Sequence, residues 1–149
     1  MKKFKVGLVL LALVAMTGIA NAGGVGYIDY AKVIDNFDYA KKATKEVDAK
    51  GLEMQQYLVD KEKEYKALDT PLKKQNFEDQ TAREFKLKQD SYMRLKSDKE
   101  EQVYNKIQAA TKQVLVEQKL DAIVDYRVIF VGGVDISDLV IQKLKSGQF

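Results

Sequence analysis

The sequence predicts an α+β fold that is mostly α, with a long antiparallel helical hairpin (a coiled-coil tentacle) projecting from a small β-rich body. Three observations predict it. Apolar residues are dense near both ends of the chain and thin in between. The thin middle is rich in Lys, Glu, Gln and Ala and carries its apolar residues at heptad steps. The single proline, Pro71, interrupts that middle.

A length of 149 residues suits one folded unit. Charged residues make up 32 %, and Cys, His and Trp are absent. Those absences exclude a disulfide framework, a zinc cluster, a thiol nucleophile and a histidine base. An enzyme would have to work with carboxylates, Lys, Tyr, Ser or Thr alone. No enzymatic activity, cofactor or metal is expected.

Residues 1–22 read as a cleaved signal peptide. Lys2, Lys3 and Lys5 supply the positive start, Val6 to Ala20 the apolar run, and Ala20-Asn21-Ala22 the small residues before the cut. The run is shorter than the ~20 residues a membrane-spanning helix needs. Export to the periplasm is therefore expected, with Gly23 as the new N-terminus. The full chain has 25 basic and 22 acidic residues. Losing three lysines leaves the two signs balanced, which argues against a nucleic-acid partner.

The mature chain then divides into three regions, with a discontinuous body at 23–38 and 120–149 and a limb at 39–119. Val25 to Asp29 reads as a strand. Asp29 is placed to cap a following helix that carries Ala31, Val33, Ile34 and Phe37 on one side. In the limb, Val47, Gly51, Met54, Leu58, Lys61, Tyr65 and Leu68 step alternately by four and three, as do Val103, Ile107, Ala110 and Val114. The first helix should end near Leu68, because the residue before a proline disfavours helical geometry. Thr70 can cap a second helix with Pro71 in its first turn, which puts the hairpin tip near 68–76. Leu120–Asp125 and Val128–Val131 read as a β-hairpin turning at Tyr126-Arg127 and closed by Gly132-Gly133. Asp135 then caps a last helix with Ile136, Val140 and Leu144 on one face and its stop at Gly147.

This distribution implies assembly. An interrupted two-helix hairpin buries too little to be rigid alone, and few strands leave open edges. Joining several copies through the β-rich ends relieves both problems. Tyr27, Ile28, Ile123, Val124, Ile129 and Phe130 are the candidate residues of such an oligomerisation body. Met54, Leu58, Tyr65, Phe77, Phe85 and Tyr92 are large side chains on a charged limb. They either zip the two helices together or offer weak, adaptable contacts to an apolar client.

Three segments resemble the Skp/OmpH family of periplasmic chaperones: GYIDYAKVI at Gly26–Ile34, LDAIVDYRVIFVGG at Leu120–Gly133 and DISDLVIQKL at Asp135–Leu144. The charged middle is similar in length and texture. The resemblance implies a homotrimer whose strands form a common body and whose hairpins enclose a cavity. It implies an ATP-independent holdase that binds unfolded outer-membrane β-barrel proteins and keeps them from aggregating in transit. The best-known members are basic, which helps attract lipopolysaccharide. This chain is balanced once processed, and no lipopolysaccharide or membrane site is carried over to it. The other reading of the same features is a periplasmic coiled-coil scaffold or spacer without chaperone activity. No phosphate-binding loop is present, since Gly23-Gly24 has no Lys-Ser or Lys-Thr behind it.

Overall fold

The computed structural model describes residues 23–149. The expected signal peptide lies outside the described residues. Strand β1 (Val25–Ile28) leads into helix α1 (Tyr30–Asp35), and α2 (Asp38–Lys66) and α3 (Pro71–Glu117) form the long hairpin. Strand β2 (Ala122–Asp125), a 3-10 turn (Tyr126–Val128), strand β3 (Val134–Asp135) and helix α4 (Ser137–Ser146) complete the chain. Among the described residues no helix is long and apolar enough to cross a membrane.

Each boundary has a local cause. β1 stops at Ile28 because the Asp29 carboxylate turns back to accept the Lys32 N–H at 3.0 Å, capping α1. The expected single helix through Phe37 is broken at Asn36. Phe37 is extended there, and its ring is buried where α1 meets α2, whereas Ala31 faces solvent. At the far end the connection is only 67–70. Thr70 accepts the Lys73 N–H and Pro71 opens α3. Gly147 ends α4 in the left-handed conformation that glycine adopts without steric cost.

The expected β-hairpin does not form. The sheet has the order β2-β1-β3, and both pairings are parallel. The whole helical limb is thus the crossover from β1 to β2. The reason Val128–Val131 is not a strand lies in Asp125. Its carboxylate accepts the Arg127 backbone N–H at 2.9 Å and grips the guanidinium at 2.7 and 2.8 Å. That closes a 3-10 turn and sends the chain away from β2. The strap then returns to the opposite edge of β1. There Gly133, at φ 87°, passes so close to the Tyr27 ring that a Cβ would sit 3.1 Å from it.

The core lies where the chain ends meet. Val33 and Phe37, Ala40 and Ala43 of α2, Val103 to Val114 of α3, and Ile136 to Leu144 form one buried cluster. The alanines let α2 and α3 approach closely at the base. Ser137 is fully buried at the junction of the two termini. Its hydroxyl accepts the Asp29 N–H at 2.9 Å and donates to Asp135 Oδ1, which also accepts the Ser137 N–H at 2.9 Å. Asp135 thus closes the start of α4, and Ser137 ties β1 to it across the sequence. Lys32 adds an ion pair to Asp138 at 2.8 Å on the same seam.

Replacing Ser137 by Ala strands the Asp29 N–H, and the expected loss is about 2 kcal/mol, read from urea unfolding. The bonds from Ser137 hold the Asp135 carboxyl below its ordinary value of 3.8. A lowered folded-state value contributes stability that is complete above that pH and lost as pH falls through the folded value. Thermal melts between pH 2 and 7 should therefore show a shallower acid limb in the Ser137→Ala protein than in the parent.

Candidate functional site

No side chain between Thr44 and Gln102 is buried. The outer limb is therefore a pair of helices held by half-buried contacts, and those contacts differ on its two sides.

One side is polar. The Tyr57 hydroxyl donates to Glu84 at 2.7 Å, and Gln80 donates to the same carboxylate at 2.8 Å. Burial, with Glu84 beside it, pushes the Tyr57 phenol up to about 12. The bonds from Gln80 and Tyr57 hold the Glu84 carboxyl below its usual range. Lys88 sits 4.9 Å above the Tyr57 ring. Lys61, in the seam between the helices, lies 5.3 Å from the Phe77 ring and 5.6 Å from Tyr57, while pairing with Glu64 at 2.9 Å. Nearer the tip, Tyr65 and Phe77 pack at 6.3 Å, with Lys74 5.3 Å from the Tyr65 ring. Cation–π contacts of this kind replace an apolar seam.

The other side is an open apolar groove of about 420 Å³. Leu58, Tyr65, Phe77 and Phe85 line it together with Ala82 and Thr81, and Lys61, Glu62 and Glu78 complete the wall, so Lys61, Tyr65 and Phe77 belong to both sides of the seam. Four of the six limb residues expected from sequence thus meet in one place. They are not equivalent there. Tyr65 and Phe77 also hold the helices to each other, whereas Leu58 is 45 % exposed and the half-buried Phe85 makes no aromatic pair among the described residues. Tyr92 lines a different recess of about 450 Å³ nearer the body, with Val47, Tyr30 and Val103. Met54 is half-buried and lines neither.

The body residues also separate. Ile28, Ile123 and Val124 line a third groove of about 400 Å³, whose far wall is Tyr104, Ile107 and Leu115 of α3. Tyr27 is half-buried against Gly133, and Ile129 is half-buried in the strap. Phe130 stands free in solvent, with full exposure at 102 %. Val128 and Val131 beside it are also exposed. The outer edge of β2 has no partner strand among the described residues.

Sequence reasoning placed Lys61 in the heptad seam but missed its contacts with the two rings. It also missed the wall of the body groove. A signal for the latter was present: Tyr104, Gln108, Thr111 and Leu115 repeat the four-three-four steps of the Val103 seam, one residue later. The base of α3 therefore has two adjoining faces, one spent on the core. Among the described residues no cluster of acidic side chains could hold a metal ion.

No curated protein matches the chain significantly. Among solved structures, a candidate outer membrane chaperone (OmpH-like) from Caulobacter crescentus superposes with a TM-score of 0.40 and 13 % identity. The match covers 84 % of this chain and 85 % of that one. A likeness that weak adds nothing to the assignment, which rests on sequence. The profile of the family described as Outer membrane protein (OmpH-like) matches residues 24–144, from the first strand almost to the end of α4. The chain therefore belongs to the OmpH-like family.

Proposed function

We propose that this protein is an ATP-independent periplasmic holdase that binds unfolded outer-membrane β-barrel proteins and prevents their aggregation. The observation that carries this reading is the open apolar groove on one side of the limb. Polar and cation–π contacts help to hold the limb's helices together, and Leu58 and the half-buried Phe85 line an open groove that a guest can reach. An unassembled barrel protein presents alternating apolar strands with no fixed tertiary structure. A shallow groove of adaptable side chains binds such an ensemble through many weak contacts without selecting one conformation. Holding requires no bond chemistry, and the groove offers none.

The holdase works as an assembly of identical subunits, a homotrimer by its family resemblance. The exposed strap around Phe130 and the open edge of β2 are the surfaces that support association. Joined there, the limbs face a shared space.

The test uses the processed protein and a urea-unfolded barrel protein diluted into buffer without nucleotide. The proposed activity keeps the client soluble in a complex of defined stoichiometry. Precipitation at the same rate with and without the protein overturns it. Binding to one folded envelope partner, with no affinity for unfolded chains, supports the scaffold reading instead.

A further inference from the structure

We infer that processing creates a contact of its own: the amino group released at Gly23 pairs with the Asp121 carboxylate and fastens the start of β1 to β2. The inference rests on residues 1–22 being a signal peptide cut after Ala22, as expected from the sequence.

The first observation is a carboxylate laid on a glycine. A Cβ built on Gly23 would fall on the Asp121 carboxylate, 2.5 Å from Oδ2 and nearer still to Oδ1 and Cγ. No side chain fits at position 23 unless Asp121 moves. A backbone nitrogen lies about 2.5 Å from the Cβ position of its own residue, so the Gly23 nitrogen is within about 5 Å of Oδ2. In the uncut chain that nitrogen is a peptide amide without charge. After the cut it is an ammonium, and an opposite charge this close favours its charged form.

The second observation is that this carboxylate has no other cation. Asp121 is exposed, and among the described residues no lysine or arginine pairs with it. Other acids beside the sheet are engaged. Asp29 caps α1, Asp125 grips Arg127, and Asp135 holds Ser137.

The third observation is how Asp121 is aimed. Lys119 ends α3 at φ 53°, the one non-glycine residue in the left-handed region among the described residues. That conformation costs an L-residue free energy. The turn it makes lays Leu120 and Asp121 across the start of β1. A Cβ on Gly26 would meet Leu120 Cδ1 at 2.7 Å, so the missing side chain is what lets Leu120 cover the strand. The Asp121 N–H donates to the Gly24 carbonyl at 3.0 Å, one residue before the Val25–Ala122 pair that begins the parallel register.

β1 is the central strand of the sheet. Pinning its first residue limits fraying against β2, whose outer edge is an association surface on the reading above. The body therefore becomes firmest after export, when the new terminus exists.

The test compares two chains at one protein concentration. One begins at Gly23, cut from a fusion partner with nothing left behind. The other keeps Asn21-Ala22 in front of Gly23. The first should melt about 2–5 °C higher, the scale of one exposed ion pair. Its amides across 25–28 and 122–125 should exchange about two- to fivefold more slowly. Asp121→Asn should lower the Gly23 chain to the level of the longer one and leave the longer one unchanged. Salt at about 0.5 M should shrink the gap by screening. Equal melting of the two chains, or a gap that persists in Asp121→Asn, overturns the pair. N-terminal sequencing of the exported protein checks the premise separately, and a cut at any other bond overturns the proposal there. Neither failure touches the chaperone reading, and failure to hold clients would leave the pair standing.

Discussion

Phe130→Asp is expected to dissociate the proposed assembly into folded single subunits. Phe130 touches nothing within its own chain, so the substitution has no folded contact to break. Any effect reports on what covers the ring in the assembly. Burying a phenylalanine contributes roughly 1.5–3 kcal/mol, and placing a carboxylate where the ring was buried adds an unpaired-charge penalty. The association constant should fall by roughly 100-fold or more for each interface. Sedimentation velocity reads the mass, and far-ultraviolet circular dichroism checks that helix content is retained. A variant that sediments like the parent places Phe130 outside the interface. Ile123→Asp is a poorer test, because Ile123 also packs against the core and its loss would unfold the subunit as well.

The second large effect is expected in the limb groove. Leu58→Ser together with Phe85→Ser removes the two large apolar groove residues that lie outside the Tyr65–Phe77 ring pair. Client affinity should fall roughly ten- to a hundredfold, on the scale of one apolar side chain's burial. Subunit mass should remain that of the parent, because the Tyr57–Glu84 bond and the Tyr65–Phe77 pair are untouched. Leu87→Ser is the control. Leu87 is more exposed than Leu58, at 71 % against 45 %, but it lies beside Glu84 and Arg83 on the polar side. If exposed apolar area alone governed binding, Leu87→Ser would weaken retention at least as much as either groove change. The sided groove requires it to leave retention unchanged. Suppression of aggregation at fixed client concentration separates the two outcomes.

The groove also explains why limb residues of similar type divide in their roles. Tyr65 and Phe77 face the groove and fasten the hairpin at once. Replacing either would loosen the helices and weaken client contact together. Leu58 is the more exposed of the other two, at 45 %, and Phe85 is half-buried. Both pairs are large apolar residues on heptad-like spacing, and spacing alone does not distinguish them. The distinction depends on the rotation of each helix about its own axis when the two pack.

The features that local chemistry controls were legible. Asp29 caps α1, Thr70 and Pro71 open α3, Ile136, Val140 and Leu144 turn inward, and Gly147 ends α4. Each depends on residues within one or two helical turns. The expected hairpin at 120–131 failed because two adjacent apolar runs look alike whether they pair with each other or with a strand far away. The carboxylate of Asp125, closing on Arg127, decided against the local pairing. β1 then took β2 and β3 on its two edges.

By itself, then, the sequence determined that the chain is a long charged hairpin with its apolar residues gathered at the two ends, because composition and periodicity act along the chain. Only the tertiary structure decided the parallel order β2-β1-β3, the exposure of Phe130, and the division of the limb into a polar side and an apolar side. Those depend on which distant segments meet and at what rotation, and that geometry arises only when the packed elements exclude water from one shared core.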